Sequence, residues 1–390
     1  MLDPVWLLLL LPLAAASGWF AGRSDRSSRS RNKPGEIPSE YYKGLNFLLN
    51  EQPDKAIEVF IKVLEVDTET VETHLMLGSL FRRRGEVERA TRIHQNLIAR
   101  PNLDHNQRSN ALFELSQDYL KAGLLDRAEN LLLEYAEAER DSESALQHLL
   151  YIYQQEKEWD QAIATAKRLA RVSGKSADEM IAHFYCEKAE EAINSMAYED
   201  AGALLKQALS SDRTSVRATI MKGDIARRLD DCKDALKQWQ KIEKLDPQYI
   251  PEVLERMKQC YVELDDRESW GEFLRSLLHT EASIPVTLTL ADEIEEREGP
   301  DPARKFITAE LRKRPSMSGL AYLVRLTGMQ ASGQAQADMQ ILQGMIDKAV
   351  HTRQGHVCKQ CGFRAKAMHW QCPSCKRWNT IKPAWDQVCD

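Results

Sequence analysis

The chain has 390 residues, of which 43% are apolar and 29% charged, with a formal net charge of −6. This balance excludes a disordered or fibrous protein and provides enough chain for two or three units with buried cores. Gly and Pro together contribute only 32 residues, which favours helices joined by short turns over a glycine-rich β-sandwich.

The charge is unevenly placed. Residues 351–390 carry seven basic side chains against Asp386 and Asp390, and residues 23–33 carry five against Asp25, which with Asp3 leaves residues 34–350 at −14. An acidic body between two basic ends favours docking of the tail on the body or on an anionic surface.

In chain order, the first element is PVWLLLLLPLAAASGWFAG, residues 4–22, which contains no charged side chain. A helix of this length just crosses a bilayer core. Ala14, Ala15 and Ala16 resemble a signal-peptide cleavage region, but Asp3 precedes the apolar run and the arginines follow it, the reverse of a signal peptide. The expectation is a retained anchor over residues 1–22, with Trp6 and Trp19 near its ends, a short periplasmic N-terminus and the rest of the chain cytoplasmic. RSDRSSRSRNKPG then reads as a basic cytoplasmic linker, residues 23–35, with affinity for lipid headgroups. The cysteines agree with the cytoplasm, because an exported chain would be expected to pair them. Cys186, Cys232 and Cys260 lie singly in helical stretches and read as small buried hydrophobes.

An alanine in a common setting recurs at Ala56, Ala90, Ala128, Ala162, Ala201, Ala235, Ala303 and Ala337, mostly 34 residues apart. Around it, LMLGSLFRRRGEVERATRIHQNL resembles a tetratricopeptide repeat through Leu77, Gly78, Phe81, Gly85 and Ala90. Partial matches fall at Gly44, Phe47, Ala56 and Phe60, at Leu115, Tyr119, Gly123 and Ala128, and at Gly223, Ala235, Trp239 and Pro247. Small residues let two antiparallel helices approach, and large apolar ones fill the space to the next pair. The resemblance implies about nine repeats over residues 36–350, forming an all-α superhelix whose first helices line a groove for peptides or proteins. The unit near Ser269 departs from the pattern, with Trp270 and Gly271 where the alanine belongs, and Arg325 replaces a small residue in the last unit. PNLDHNQRSN, between the second and third units, reads as an exposed loop. No metalloprotease, phosphate-loop, nucleophile-elbow or dinucleotide signature occurs, so the chain reads as non-enzymatic, and histidines such as His74 and His183 as packed or surface residues.

Residues 351–390 close the chain with CKQCGFRAKAMHWQCPSCKRW. Cys358, Cys361, Cys372 and Cys375 form two Cys-x-x-Cys pairs, and a tight turn inside each pair can aim both sulfurs at one metal. Gly362 and Pro373 resemble the knuckles of rubredoxin and zinc-ribbon modules. One ion, Zn or Fe, held tetrahedrally by the four cysteines is expected to staple a segment too short to build its own core. His356 and His369 flank the set and read as non-ligands, and Cys389 as free. Phe363, Trp370, Trp378 and Trp385 exceed what so small a unit can hide. Packing on the acidic body is favoured over a nucleic-acid partner.

Anchor, repeats and a terminal rubredoxin-like knuckle, in that order, resemble the bacterial lipopolysaccharide assembly protein B family. The resemblance implies a single-pass inner-membrane protein that regulates lipopolysaccharide biosynthesis without being an enzyme. Its implied partners are a membrane-anchored AAA+ protease, the lipid A deacetylase as client, and other lipopolysaccharide assembly proteins, with room for a homo-oligomer. Two alternatives remain at this point: a scaffold gathering biosynthetic or transport enzymes without proteolysis, and a rubredoxin-type electron carrier.

Overall fold

The computed structural model describes residues 39–66, 71–139, 142–280, 283–351 and 355–384. The predicted anchor 1–22 and linker 23–35 lie outside them, as do Trp385 and Cys389; among the described residues no helix is long and apolar enough to cross a membrane.

The body is all α. Consecutive helix pairs run α1 (Ser39–Leu49) and α2 (Pro53–Val66), α3 (Val71–Arg83) and α4 (Val87–Ile98), α5 (His105–Ala122) and α6 (Leu125–Ala138), α7 (Glu143–Glu156) and α8 (Trp159–Ser173). They continue as α9 (Asp178–Asn194) and α10 (Tyr198–Ser211), then α11 (Val216–Arg228) and α12 (Cys232–Trp239). A short α13 (Ile242–Leu245) and a 3-10 helix, η1 (Pro247–Glu252), intervene before α14 (Leu254–Glu263) and α15 (Arg267–Thr280). The last pairs are α16 (Ile284–Glu298) with α17 (Pro300–Lys313) and α18 (Met317–Gln330) with α19 (Gln334–His351). These are tetratricopeptide-type hairpins.

Two positions explain the pairing. The recurring alanine is fully buried at Ala56, Ala90, Ala128, Ala162, Ala201, Ala235 and Ala303, where a larger side chain would push the two helices apart. In three pairs, four residues on from the alanine, the second helix places Phe60, His94 or Trp239 against a glycine of the first. A Cβ on Gly223 would lie 2.2 Å from Trp239 Nε1, and one on Gly78 would lie 2.3 Å from His94 Nε2. The turn within each pair contains one left-handed residue: Glu51, Gly85, Gly123, Lys157, Met196, Asp230, Asp265, Gly299 and Gly333. Their steps of 34, 38, 34, 39, 34, 35, 34 and 34 residues carry the register through every pair.

The chain divides into two compact units, up to Ala145 and from Leu146 onward. In the first, Ala56, Phe60, Leu77, Phe81 and Ala90 form the core. In the second, the largest cluster gathers Trp239, Tyr249, Met257, Trp270 and Leu290, and a separate one holds Cys186, Ala189, Ala201 and Leu205. Burying each large side chain contributes roughly 1.5–3 kcal/mol over leaving it in water. Cys186, Cys232 and Cys260 are all buried, and the Cys232 thiol also donates to Glu263 Oε2 at 3.4 Å.

The expected loop PNLDHNQRSN is mostly helix: His105–Asn110 form the first turns of α5, begun by a capping box between Asp104 and Gln107. A cap residue followed three positions later by Gln starts a helix rather than prolonging a loop. In the unit that departs from the repeat, Trp270 is only 1% exposed, its ring 5.3 Å from that of Tyr261. One large side chain thus fills the space that elsewhere an alanine leaves to its neighbours. Arg325 is accommodated by Glu295 of α16, 2.6 Å away, which also accepts a hydrogen bond from the Tyr322 hydroxyl. In the last pair Ala337 is exposed, unlike its seven counterparts.

After α19 the chain forms a small antiparallel sheet, order β2-β1-β3, from β1 (His356–Cys358), β2 (Arg364–Ala365) and β3 (Ile381–Pro383). Val357 pairs with Arg364 on one side and Lys382 on the other.

Candidate metal centre and its seat

The two Cys-x-x-Cys turns are built alike. In the first, Gly362 N–H donates to Cys358 O (2.9 Å) and Cys358 N–H to Phe363 O (2.8 Å); in the second, Lys376 N–H donates to Cys372 O and Cys372 N–H to Arg377 O, both 2.9 Å. The residue after each pair is left-handed, Gly362 at φ 76° and Lys376 at φ 58°. Glycine adopts that conformation freely and lysine under strain, so the second turn carried a weaker signature in sequence than the first.

The four sulfurs of Cys358, Cys361, Cys372 and Cys375 lie within 4.8 Å of one another. Cys358 Sγ is 3.8 Å from Cys375 Sγ, and Cys361 Sγ is 3.7 Å from Cys372 Sγ. Thiolates about 2.3 Å from one tetrahedral ion stand about 3.8 Å apart, so the set fits a single metal ion. Cys358 and Cys372 are buried and Cys361 is exposed. Burial opposes ionisation of Cys358, but the Thr380 hydroxyl and the backbone N–H groups of Cys361 and Gln360 outweigh it and bring the thiol down to about 6. Burial pushes Cys372 up to about 11. His356 and His369 are outside the sulfur cluster: His356 is buried, with Nε2 2.8 Å from Glu252 Oε1, and His369 is exposed.

The knuckle is seated on helices of the second unit through Trp370 and Trp378, which the sequence singled out, and through helix residues that, His183 apart, it did not. The Tyr249 hydroxyl lies 3.0 Å from Asn379 Oδ1 and 3.1 Å from Ile381 O, while its ring stacks on Trp370. Lys382 pairs with Asp246 at 2.8 Å and stands over the Tyr249 ring. Asn379 donates to Glu179, and Gln371 and Trp378 both donate to Gln154 Oε1. Trp378 stacks on His183 with ring centroids 4.9 Å apart. Burial first, then Arg217 and Lys382, push His183 down to about 3, so it sits there as neutral imidazole. The opposition of basic tail and acidic body and the surplus aromatics of the tail hinted at this seat, but its partners on the helices, more than a hundred residues away in sequence, were not visible.

The tail, residues 356–383, matches the family model described as a rubredoxin metal binding domain, and residues 73–105 match a tetratricopeptide repeat. Lipopolysaccharide assembly protein B of Escherichia coli strain K12 is 38% identical over 378 residues, 97% of both chains. The chain belongs to the lipopolysaccharide assembly protein B family. The Haemophilus influenzae protein of that name is 34% identical over 98% of both chains. Among solved structures, the C-terminal part of a tetratricopeptide-containing protein of Cytophaga hutchinsonii covers 63% of this chain and 97% of its own, at 13% identity and a TM-score of 0.41. Membership of the family thus rests on whole-length sequence agreement, with the knuckle and a repeat matched separately.

Proposed function

We propose that this chain is a non-enzymatic inner-membrane adaptor that regulates lipopolysaccharide biosynthesis by presenting the lipid A deacetylase of the committed step to a membrane-anchored AAA+ protease. The observation that carries this reading is full-length similarity to proteins named for lipopolysaccharide assembly. The stacked hairpins support it, because such arrays offer broad surfaces for polypeptides. Residues 1–22 serve as the anchor, 23–35 as the linker, 36–350 as the repeat body and 351–390 as the metal-binding domain. Confinement beside a membrane protease raises the effective concentration of a captured client without any new contact.

Cys358, Cys361, Cys372 and Cys375 hold one Zn or Fe ion in this reading. The ion supplies a cross-link between the two turns. The chain's own residues do the rest: backbone N–H groups and Thr380 favour thiolate at Cys358, and Tyr249, Gln154 and Asp246 fix the knuckle against the helices. Elemental analysis should find about one ion per chain, lost in Cys372→Ser.

The functional test is crosslinked pull-down from membranes, followed by the half-life of each captured enzyme with and without this chain. The adaptor reading expects at least one captured enzyme to be longer-lived in its absence, and deletion of residues 1–22 to abolish the effect while binding survives. If client lifetimes never change, the scaffold reading replaces it. Reporter fusions at residue 35 and at the C-terminus should both report the cytoplasm.

A further inference from the structure

Three consecutive residues of the tail hold two different partners. Asn379 and Ile381 bind the helices: Asn379 donates to Glu179 at 2.8 Å, and the Tyr249 hydroxyl lies 3.0 Å from Asn379 Oδ1 and 3.1 Å from Ile381 O. Thr380, between them, binds the first cysteine turn. Its carbonyl accepts from Lys359 N–H at 2.8 Å, and its Oγ1 lies 3.4 Å from Cys358 Sγ. The segment is fixed at its start as well, where left-handed Asn379 donates its N–H to Trp370 O at 2.8 Å. Displacing these three residues therefore disturbs the seat and the cysteine turn together.

The Thr380 hydroxyl has one proton and two acceptors within reach. It donates to Arg377 O at 3.3 Å while Cys358, as a thiol, donates to Thr380 Oγ1. A cysteine that holds a metal is a thiolate, which only accepts, so the hydroxyl then turns its proton to Cys358 Sγ. Arg377 O is not orphaned by that turn, because it also accepts from Cys372 N–H at 2.9 Å. A hydroxyl donor to one of four crowded thiolates draws off part of their negative charge and orients the ligand. Cys372, at the equivalent place in the second turn, is met by the backbone N–H groups of Ser374 and Cys375 and by no hydroxyl among the described residues. Thr380 is thus an addition to the repeated turn, placed on the side that faces the seat.

We infer that Thr380 is a positioning residue for the metal site and the link through which the helices help to retain the ion. With the Tyr249 hydroxyl in place, Asn379 and Ile381 are fixed and the Thr380 hydroxyl stays on Cys358 Sγ. Loss of the Tyr249 contact lets the segment shift, and the ion leaves faster. Retention of the ion is then set in part by a helix residue more than a hundred positions away in sequence. This link rests on a metal held by Cys358, Cys361, Cys372 and Cys375, and the two fail separately. A chain that takes up no ion loses the site itself, whereas a loaded chain indifferent to Thr380 loses the link alone.

The test loads the full chain, in detergent micelles, with Zn²⁺ and follows transfer of the ion to an excess of chromogenic chelator. Thr380→Val, which keeps the shape and removes the hydroxyl, should release Zn²⁺ roughly tenfold faster, and Thr380→Ser should stay within about twofold of the unaltered chain. Tyr249→Phe should speed release roughly threefold or more, and should add nothing in a Thr380→Val background, since one link is not cut twice. In the Co²⁺-loaded chain, a sulfur without its hydroxyl donor gives up electron density more readily. Thr380→Val should therefore move the thiolate-to-cobalt absorption to longer wavelength, and Thr380→Ser should leave it in place; a side chain that only packs would not move it. Unchanged release and spectrum in Thr380→Val, failure of Thr380→Ser to restore them, or additive effects in the double variant would overturn the inference.

Discussion

Replacing Tyr249 by Phe removes a single oxygen from the seat of the knuckle. Tyr249 is fully buried, and its hydroxyl lies 3.0 and 3.1 Å from two acceptors of the tail, Asn379 Oδ1 and Ile381 O. The ring contacts with Trp370 and Lys382 survive the change, so the loss is confined to hydrogen bonding. One proton serves one acceptor well at a time, and leaving a buried acceptor without its donor costs about 1–3 kcal/mol. Amide hydrogen exchange is the appropriate assay, because it reads local opening separately from global unfolding. Exchange at β3 and at the Trp378 segment should speed up by roughly 5- to 150-fold, while helices α1–α6 keep their protection. Exposed Tyr151→Phe is the control. Unchanged exchange in the tail, or the same acceleration along every helix, would refute the assignment of Tyr249 as the anchoring hydroxyl.

Three further outcomes follow from other sites. His183 has its pKa lowered from 6.5 to about 3, so the unfolded state binds more protons between those values. The stability that His183 contributes is complete above about pH 6.5 and is lost as the pH falls towards 3, with a slope of at most about 1.4 kcal/mol per pH unit. Denaturant titration from pH 7 to 5 should show this slope, and His183→Phe should flatten it. Met196→Gly relieves a left-handed, solvent-exposed residue at φ 62° and should raise stability by up to about 1 kcal/mol in denaturant titration, after the entropy cost of glycine. Gly78→Ala places a methyl 2.3 Å from His94 and should destabilise the first unit by about 1–3 kcal/mol in the same titration.

The alanines and the four cysteines were legible because their chemistry admits few substitutes. An interhelical gap accepts only a small side chain, and a tetrahedral thiolate set needs its spacing. The left-handed turn residues were less legible one by one, since Glu51, Lys157 and Met196 are residue types that rarely mark such a position. His94 was equally opaque. It occupies the site that Phe60 and Trp239 fill elsewhere, but its Nδ1 lies 2.5 Å from Asp118 Oδ2, while Arg82 donates to Asp118 Oδ1 at 2.8 Å. That network requires α3, α4 and α5 to converge, information absent from any one segment. The start of α5 was missed as well: PNLDHNQRSN read as a loop, although Asp104 and Gln107 form a capping box there.

Stacked hairpins ordinarily touch only their neighbours, so their unfolding resembles a zipper that can open from either end, one unit at a time. The seated knuckle changes that arithmetic. It grips α7 through Gln154, α9 through Glu179 and His183, and η1 through Asp246, Tyr249 and Glu252. Several successive hairpins are thereby tied to one small body at the far end of the chain, and none can peel away without releasing it. Fraying becomes cooperative across the region, and because these contacts span from about one hundred to more than two hundred residues in sequence, long stretches of chain must be closed before they form. The helix pairs can therefore form first, and the clasp then holds them together as a single unit.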